Sequence, residues 1–351
     1  MLDKYNNFEI GFDSNNTKKE WFEKINTSFP DITEDIFDDI CNYILNIDKN
    51  IDGRFGGGVK DLIAVAASRY VTTKKFINTT YTNLAHVEIG TLFGGTAILT
   101  DYILKLQNGN KKFKNIMIDP LCGYYDNSID FISGLEVTPD RLIKNLEKFN
   151  VQEYELITKY STEEEAIKKI KNLNVASLFI DGDHSFAGLL KDWNNYNGCV
   201  IEGGHIIIDN VNDKNWPNIN LFIQILKSKI NSKWEVVYEE NITIILEKKS
   251  INDLQIDNNF NIDIIHQIER QVDEKFYNII SNRNKTIEKY KTMLENRNKE
   301  IEKLSKQVEY RNKYIYSIKE TKNNISKIKF FLHPINKYKL FKQLLKDIDE
   351  A

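Results

Sequence analysis

The stretch LFIDGDHSF, residues 178–186, is the segment that decides the fold class. Its three apolar residues stop abruptly at Asp181, which is typical of a buried strand that ends at a polar loop. A second stretch, GGHIIIDNV at residues 203–211, follows the same pattern and ends its apolar run at Asp209 and Asn210. Its double glycine, Gly203 and Gly204, is expected to make the turn into this strand. Neighbouring buried strands that end in polar residues indicate a parallel sheet, in which ligands bind at the carboxyl ends of the strands.

Short apolar runs recur on both sides of these two stretches. Helical patterns separate the first five runs, which favours a doubly wound α/β sheet. The last two runs are joined by only three residues and predict a hairpin, hence one antiparallel strand in a seven-stranded sheet. The seven runs are Leu84–Ile89, Ile116–Ile118, Tyr154–Ile157, Ala176–Ile180, His205–Ile208, Trp234–Tyr238 and Ile242–Leu246. We therefore place an α/β domain at residues 81–249.

Residues 1–80 are predicted to form an N-terminal helical region. Apolar residues recur there at spacings of three and four. Asp31 or Thr33 is expected to cap the second helix. The glycine-rich segment 54–58 predicts a turn between helices, with a lid over the pocket as the alternative.

The chain changes character after residue 249. Residues 250–262 predict a polar linker, and residues 263–320 carry apolar residues at intervals of seven. This pattern favours a coiled coil and a homo-oligomer, although one long helix folded back on its own domain also fits. The a positions are Ile287, Leu294, Ile301, Val308 and Ile315, whereas the d positions alternate between apolar residues (Tyr290, Leu304, Ile318) and charged ones (Arg297, Arg311).

Residues 321–351 predict a basic amphipathic tail. The tail combines lysines with aromatic and aliphatic residues, and no acid occurs between Lys322 and Lys346. Such a segment can lie on an anionic membrane, which would place the protein at the inner face of the cell membrane. Packing of the tail on the coiled coil or on a protein partner is the alternative.

Composition limits the remaining classes. The net charge of −3 gives no reason to expect a nucleic-acid partner. The three cysteines, Cys41, Cys122 and Cys199, are scattered and form no pair motif, which favours the reducing cytoplasm. The sequence begins without an apolar signal region, and it has no run of about 18 apolar residues that would span a membrane.

Two motifs at the start of the α/β region predict a nucleoside cofactor. Glu88, Gly90 and Gly94 belong to a Glu-x-Gly-x-x-x-Gly-Gly pattern between the first strand and a helix, where glycines let a ligand approach the backbone. The pattern is not the GxGxxG of dinucleotide-binding domains. Asp119 closes the second strand and is expected to accept hydrogen bonds from ribose hydroxyls.

The polar residues of the two opening stretches predict a metal and a base. Asp181, Asp209 and Asn210 form an all-oxygen set that suits Mg²⁺. His184 follows Asp181 by three residues on a loop at the same edge, where functional residues concentrate. Asp183 or Ser185 is expected to cap the next helix.

Residues 84–211 resemble class I S-adenosylmethionine-dependent methyltransferases. FIDGDHSF and GGHIIIDN are most similar to metal-dependent O-methyltransferases of macrolide sugars and to cephalosporin-hydroxylase-like proteins. Those sugar-modifying relatives usually have two acids where this chain has Asp209 and Asn210. The resemblance implies a methyltransferase-type Rossmann sheet, with a cofactor set, a metal set and a catalytic pair. The cofactor set is Glu88, Gly90, Thr91, Gly94, Asp119 and Asp181, the metal set Asp181, Asp209 and Asn210, and the catalytic pair His184 and Asp181.

The function expected from sequence is therefore Mg²⁺-dependent transfer of a methyl group from S-adenosylmethionine to a hydroxyl. The resemblance points to a sugar hydroxyl, in a surface glycan or its precursor. Two other classes stay open: an NAD-dependent oxidoreductase on a related fold, and a non-catalytic scaffold that docks a glycan-assembly complex through the coiled coil and tail.

Overall fold

The protein is described from a computed structural model that covers residues 15–109, 112–122, 128–130, 132–230, 232–250, 253–256 and 262–328, with residues 342 and 346. The chain divides into two compact units, Met1–Glu269 and Arg270–Ala351. The first unit contains the α/β sheet and its helices, and the second contains most of one long helix.

From residue 15 onward, the first unit has three helices and then a region in which strands alternate with helices. The helices are α1 (Asn15–Ser28), α2 (Glu34–Asn50), α3 (Val59–Phe76), α4 (Gly95–Leu106), α5 (Pro139–Lys148), α6 (Glu164–Lys171), α7 (Phe186–Tyr196) and α8 (Pro217–Lys229). The strands are β1 (Leu84–Ile89), β2 (Phe113–Ile118), β3 (Tyr154–Ile157), β4 (Asn174–Ile180), β5 (Val200–Ile208), β6 (Trp234–Glu240) and β7 (Thr243–Lys248).

The strands form one seven-stranded mixed sheet in the order β3-β2-β1-β4-β5-β7-β6. The first five strands pair in parallel, and β7 pairs antiparallel with both β5 and β6. The predicted α/β class, the seven strands and the antiparallel hairpin are therefore confirmed. The strand order reverses between β1 and β4, which places the crevice for a ligand at their carboxyl ends.

Helices cover both faces of the sheet, and each face has its own core. Along β5, Ile207 faces the core formed with α1 to α5, whereas Ile206 and Ile208 face the core formed with α6 to α8. This alternation follows from the two-residue period of a strand, and it explains why all the side chains of β1 are buried. Burial on both faces leaves only the strand ends open to a ligand.

The double glycine of the fifth strand is one place where the sequence prediction was wrong. Gly203 and Gly204 were expected to turn the chain into the strand, but both lie inside β5. Gly203 has a φ of +80°, and the pairing with β4 shifts register between Val175 and Ser177. A Cβ on Gly204 would lie 2.9 Å from the carbonyl oxygen of Ala176. The glycines therefore permit an irregularity within the strand pair, which is their usual meaning inside a strand.

The N-terminal helices form as predicted and bring polar groups to the sheet. Thr33 caps α2, because its Oγ1 accepts a hydrogen bond from the Ile36 amide. Helix α3 places Ser68 2.9 Å from Nδ1 of His205, in the interior. His205 lies in the middle of β5 and is buried, so its role is structural.

Of the predicted linker 250–262, the structure describes residue 250 and residues 253–256 before helix α9 begins at Ile262. Leu254 and Ile256 are buried in the core, and the carbonyl of Leu254 accepts a hydrogen bond from Nε1 of Trp193. This part of the segment is therefore packed rather than free. The predicted boundaries at 80, 249, 262 and 320 remain predictions.

Helix α9 (Ile262–Ile328) forms most of the second unit and runs through the predicted coiled coil. The predicted tail 321–351 lies mostly outside the described residues. Among the residues that the structure describes, no helix is both long and apolar enough to cross a membrane.

Candidate active site

The carboxyl ends of the parallel strands lie side by side. The amide of Asp181 donates to the carbonyl of Ile89 at 2.9 Å, and the amide of Gly90 donates to the carbonyl of Ile118 at 2.9 Å. Gly90 has a φ of +84°, and a Cβ at this position would lie 2.1 Å from the carbonyl oxygen of Asp181. Gly90 is therefore required for the close approach of β1 and β4, because no side chain fits between them.

The other glycines of the motif also pack against protein atoms. Gly94 adopts a φ of +83° at the N-cap of α4, and its Cβ position faces Leu142. A Cβ on Gly95 would lie 2.5 Å from the ring of Phe55, which is buried. Segment 54–58, predicted as a turn or a lid, thus packs against the start of α4. Gly90 and Gly94 were expected to leave space for a ligand, but the space where their side chains would lie is filled by other atoms of the protein.

Asp119 holds the loop that follows β1. Its Oδ2 accepts hydrogen bonds from the amides of Thr91 (2.7 Å) and Leu92 (3.3 Å), and its Oδ1 accepts one from Leu121 (2.9 Å). Leu92 and Leu121 both have left-handed backbones, with φ of 50° and 48°, which is uncommon outside glycine and asparagine. A carboxylate has about four acceptor positions, so about one is left on Asp119 for a ribose hydroxyl. Burial raises the pKa of Asp119, while the three amides oppose that rise.

Glu88 is a buried acid beneath the same loop. Burial raises its pKa to about 8, although the nearby Arg69 guanidinium acts in the other direction. Arg69 comes from α3, is buried itself, and donates to the carbonyl of Thr96 at 3.1 Å. Among the described residues, neither Oε2 of Glu88 nor Oγ1 of Thr91 has a hydrogen-bond partner. Buried polar atoms without partners are rare, and they are expected where a ligand supplies the missing bonds.

His184 is held between a carboxylate and an indole. Its Nε2 lies 3.3 Å from Oδ1 of Asp181, and its ring lies 4.4 Å from the ring of Trp216, centroid to centroid. Ser185 caps α7 by accepting a hydrogen bond from the amide of Gly188, which confirms one of the two predicted caps and fixes the loop that carries His184. The side chain of His184 is about 10% exposed, so the imidazole is placed at the edge of the site rather than in bulk solvent.

Asp209 is buried beside two other carboxylates. It follows Ile208, whose partner on β4 is Ile180, so Asp181 and Asp209 continue neighbouring strands. Burial raises the pKa of Asp209 well above its usual range, and the charges of Asp181 and Asp61 raise it further. Asn210 comes next in a left-handed conformation with a φ of 60°.

Asp61 reaches this cluster from the first turn of α3. Its Oδ1 accepts a hydrogen bond from the Thr243 hydroxyl at 2.8 Å, and the same hydroxyl oxygen lies 3.4 Å from Oδ1 of Asp209. Its Oδ2 accepts a hydrogen bond from Asn241 at 2.7 Å. The N-terminal region and the β6–β7 hairpin thus meet next to Asp209.

A hard cation at this edge would have only a small set of oxygen donors. The charges of Asp181 and Asp61 act on Asp209, and no cationic side chain enters that cluster in the part of the chain described here. No group of three His, Cys, Asp or Glu side chains converges on a metal position within the described ranges. A cation would therefore be held by Asp181 and Asp209, with Asn210 or other oxygen donors completing its coordination.

Sequence reasoning did not identify Arg69, Asp61, Thr243 or Trp216 as parts of the site. Arg69 and Asp61 come from the helical region, which carried no motif. Thr243 lies in the hairpin that seemed only to complete the sheet. An acid in the first turn of a helix, as Asp61 is, is favoured by the helix dipole alone, so its position carried no functional signal. Only the fold brings these residues to the strand ends.

Known proteins similar to this chain are found among solved structures and among curated sequences. No family model matches the sequence. Solved structures similar to this chain include the O-methyltransferase NovP (15% identity, TM-score 0.43, covering 55% of this chain and 81% of that one). CalS11, a TDP-rhamnose 3′-O-methyltransferase of calicheamicin biosynthesis, is also similar. Its identity is 12% and its TM-score 0.43, and the match covers 67% of this chain and 96% of CalS11.

A curated protein has a much higher sequence identity to this chain than these solved structures have. The uncharacterized protein R132 of Acanthamoeba polyphaga mimivirus is 34% identical over an alignment of 167 residues, which covers 44% of this chain and 67% of that protein. The chain therefore belongs to the same family as this mimivirus protein.

Proposed function

We propose that the first unit is an S-adenosylmethionine-dependent O-methyltransferase that uses Mg²⁺ or another divalent cation. The observation that supports this proposal best is the composition of the strand ends. Four acids lie at the carboxyl ends of neighbouring strands: Glu88 near the end of β1, and Asp119, Asp181 and Asp209 directly after β2, β4 and β5. Buried side-chain oxygens of Glu88 and Thr91 have no hydrogen-bond partner among the described residues. An acidic edge of this kind favours a cationic cofactor and a metal ion over an anionic dinucleotide.

The residues present fit the cofactor at three points. Oε2 of Glu88 and Oγ1 of Thr91 are available to its polar groups, and the remaining acceptor position of Asp119 suits one ribose hydroxyl. Gly90 and Gly94 are assigned a supporting role, because they shape the loop rather than open a cradle. The strained backbone at Leu92 and Leu121 agrees with a binding loop, since such strain concentrates at functional sites.

His184 is assigned as the general base. Asp181 lies 3.3 Å from its Nε2 and orients the ring, and Trp216 packs against the ring face. In this arrangement the imidazole removes the proton of the acceptor hydroxyl as the oxygen attacks. When bound, the cofactor would supply the methyl group from its sulfonium centre and would leave as a neutral thioether. Bound at Asp181, Asp209 and Asn210, a divalent cation would lower the pKa of that hydroxyl.

The acceptor is proposed to be a sugar hydroxyl, on the strength of the sequence resemblance in FIDGDHSF and GGHIIIDN. Trp216 also bears on this choice, because an indole beside the base can pack against the apolar face of a sugar. A glycan or its precursor near the cytoplasmic face of a membrane would agree with the basic tail predicted at 321–351.

The first experiment measures binding and turnover separately. Calorimetry with S-adenosylmethionine and with NAD tests the cofactor, and transfer of labelled methyl groups to glycan fractions tests the reaction. We expect binding of S-adenosylmethionine, loss of transfer in chelator, and its return with Mg²⁺. Binding of NAD alone would contradict the proposal, and binding of neither cofactor would favour the scaffold.

The second experiment tests the base. His184→Ala is expected to fold and to bind S-adenosylmethionine but to lose about 10²–10⁴-fold in turnover, which is the usual contribution of general base catalysis. His333→Ala, a histidine of the predicted tail, serves as the matched control. Turnover by His184→Ala at the wild-type rate would remove the histidine from the mechanism.

A further inference from the structure

The second unit presents an exposed apolar stripe along α9. Six side chains at a and d positions between residues 290 and 315 are about half exposed or more, although each is large and apolar. They are Tyr290 (60%), Leu294 (60%), Ile301 (58%), Leu304 (53%), Val308 (56%) and Ile315 (48%). Ile318 continues the stripe, which from residue 290 extends over about 42 Å at the α-helical rise of about 1.5 Å per residue. A stripe of this length at a seven-residue spacing fits another helix of the same spacing.

The stripe is interrupted by charge at regular intervals. Arg297 and Arg311 occupy alternate d positions and begin two copies of a 14-residue repeat, each starting with Arg-Asn-Lys. Both arginines lie on the described part of α9, where their side chains are exposed. Because the apolar and charged layers alternate, the orientation of the partner helix decides which side chains meet.

We propose that α9 pairs with α9 of a second copy in an antiparallel coiled coil. A parallel pair in register would place Arg297 against Arg297 and Arg311 against Arg311, and such like-charge contacts in a core are strongly unfavourable. In an antiparallel pair, an a position of one helix faces a d position of the other. Each arginine then meets an aliphatic side chain, and its guanidinium can extend past that side chain to solvent.

One antiparallel register matches every layer of the stripe. With Ile301 opposite Leu304 of the second copy, Leu294 faces Arg311 and Val308 faces Arg297. The outer layer is Ile315 with Tyr290, and the heptad sequence supplies Ile287 as the counterpart of Ile318. The two-fold axis passes between Ile301 and Leu304, so the pair is closed and symmetric, as homodimers usually are.

The residues that flank the stripe agree with this register. At the g positions, Glu300 lies opposite Gln307 of the second copy, and Met293 lies opposite Tyr314. At the e positions, Asn298 lies opposite Ser305. None of these pairs brings like charges together, so neither the core nor its flanks opposes the antiparallel dimer.

Disulfide trapping in the full chain tests the orientation. Leu294→Cys and Arg311→Cys are made in a Cys122→Ser background, because Cys122 is the exposed native thiol. We expect a covalent dimer when the two variants are co-expressed and oxidised, and none from either variant alone. Like cysteines would lie on the order of 25 Å apart in this register, at about 1.5 Å per residue. Dimers formed by each variant alone would establish a parallel pair and overturn the proposal.

Light scattering of the full chain tests the pairing itself. The wild type is expected to be a dimer at micromolar concentration. Ile301→Glu should raise the dissociation constant about 100-fold or more, because the substitution changes two symmetric layers and each buried isoleucine is worth at least about tenfold. Lys303→Glu, which introduces the same residue at an outward-facing position, should leave the dimer intact. A monomeric wild type, or equal effects of the two substitutions, would refute the proposal.

Discussion

Single residues at the strand ends serve the protein's own packing as much as a ligand. Gly90 is the clearest example, because a methyl group there would overlap the carbonyl of Asp181. We predict that Gly90→Ala destabilises the protein by more than about 4 kcal/mol, the size of effect that follows from overlap and backbone strain together. Denaturant unfolding followed by circular dichroism measures this loss.

Gly134→Ala separates strain from overlap. Gly134 also has a positive φ, +70°, but no atom lies within 4 Å of its Cβ position in the part of the chain that is described. Its substitution should cost only about 1–2 kcal/mol, the usual penalty for a left-handed alanine. If the two variants lost equal stability, the close contact between Gly90 and Asp181 would not exist in solution.

The buried acid Glu88 predicts a dependence of stability on pH. Its folded pKa of about 8 lies above the ordinary value of 4.5, so the unfolded chain loses this proton first. The contribution of Glu88 is complete at low pH and is lost as the pH rises through about 8. Between pH 7 and pH 9, the wild type should lose on the order of 1 kcal/mol more stability than Glu88→Gln. Parallel pH profiles of the two proteins would contradict the buried position of this carboxyl.

Secondary-structure elements were predictable from sequence to the extent that their signal is local. The run Leu84–Ile89 matches β1 residue for residue, because both faces of that strand are buried and the run ends at a glycine. The start of β5 was missed, since Gly203 and Gly204 carry a turn signal that the neighbouring β4 overrides. Asp181 and Asp209 could be placed at the strand ends because each directly follows a strand, and His184 because it comes three residues after Asp181. Asp61 and Thr243 were not, since only the fold brings α3 to the hairpin.

The contact between α3 and the hairpin is predicted to stabilise the whole first unit. Asp61→Ala removes the acceptor of the Asn241 side chain and the Ile242 amide, and the nearer acceptor of the Thr243 hydroxyl. We expect a loss of about 1–2 kcal/mol, because a buried donor that loses its acceptor costs about 1–3 kcal/mol, and only the Thr243 hydroxyl is fully buried. The exposed Asn241 side chain can bond to water instead, and relief of the buried carboxylate offsets part of the loss. The measurement is the free energy of unfolding in urea.

Asp31→Ala is the matched control for that loss. Asp31 forms an ion pair with Lys74, which lies on α3 as Asp61 does, but the side chains of Asp31 and Lys74 are both about half exposed. Exposed ion pairs contribute little to stability, so the unfolding midpoint should stay close to that of the wild type. Equal losses in the two variants would show that the contacts of Asp61 add nothing beyond an ordinary surface pair.

At the scale of the whole molecule, the two units have separate proposed roles: the first carries the catalytic site and the second forms the dimer. The proposed site draws its residues from α3, from the strand ends and from the hairpin, all within Met1–Glu269. The proposed dimer draws its residues from α9 within Arg270–Ala351. Because neither set includes residues of the other unit, the two proposals can fail independently.

Deletion of residues 270–351 tests that division. The remaining chain keeps both hydrophobic cores, so we predict that it folds, binds S-adenosylmethionine with the wild-type affinity and methylates a soluble acceptor at the wild-type rate. It should also be a monomer by light scattering, since the stripe on α9 is gone. If the shortened chain folded and bound cofactor but lost turnover, association would be part of catalysis. If it stayed dimeric, the dimer contact would lie in the first unit instead of along α9.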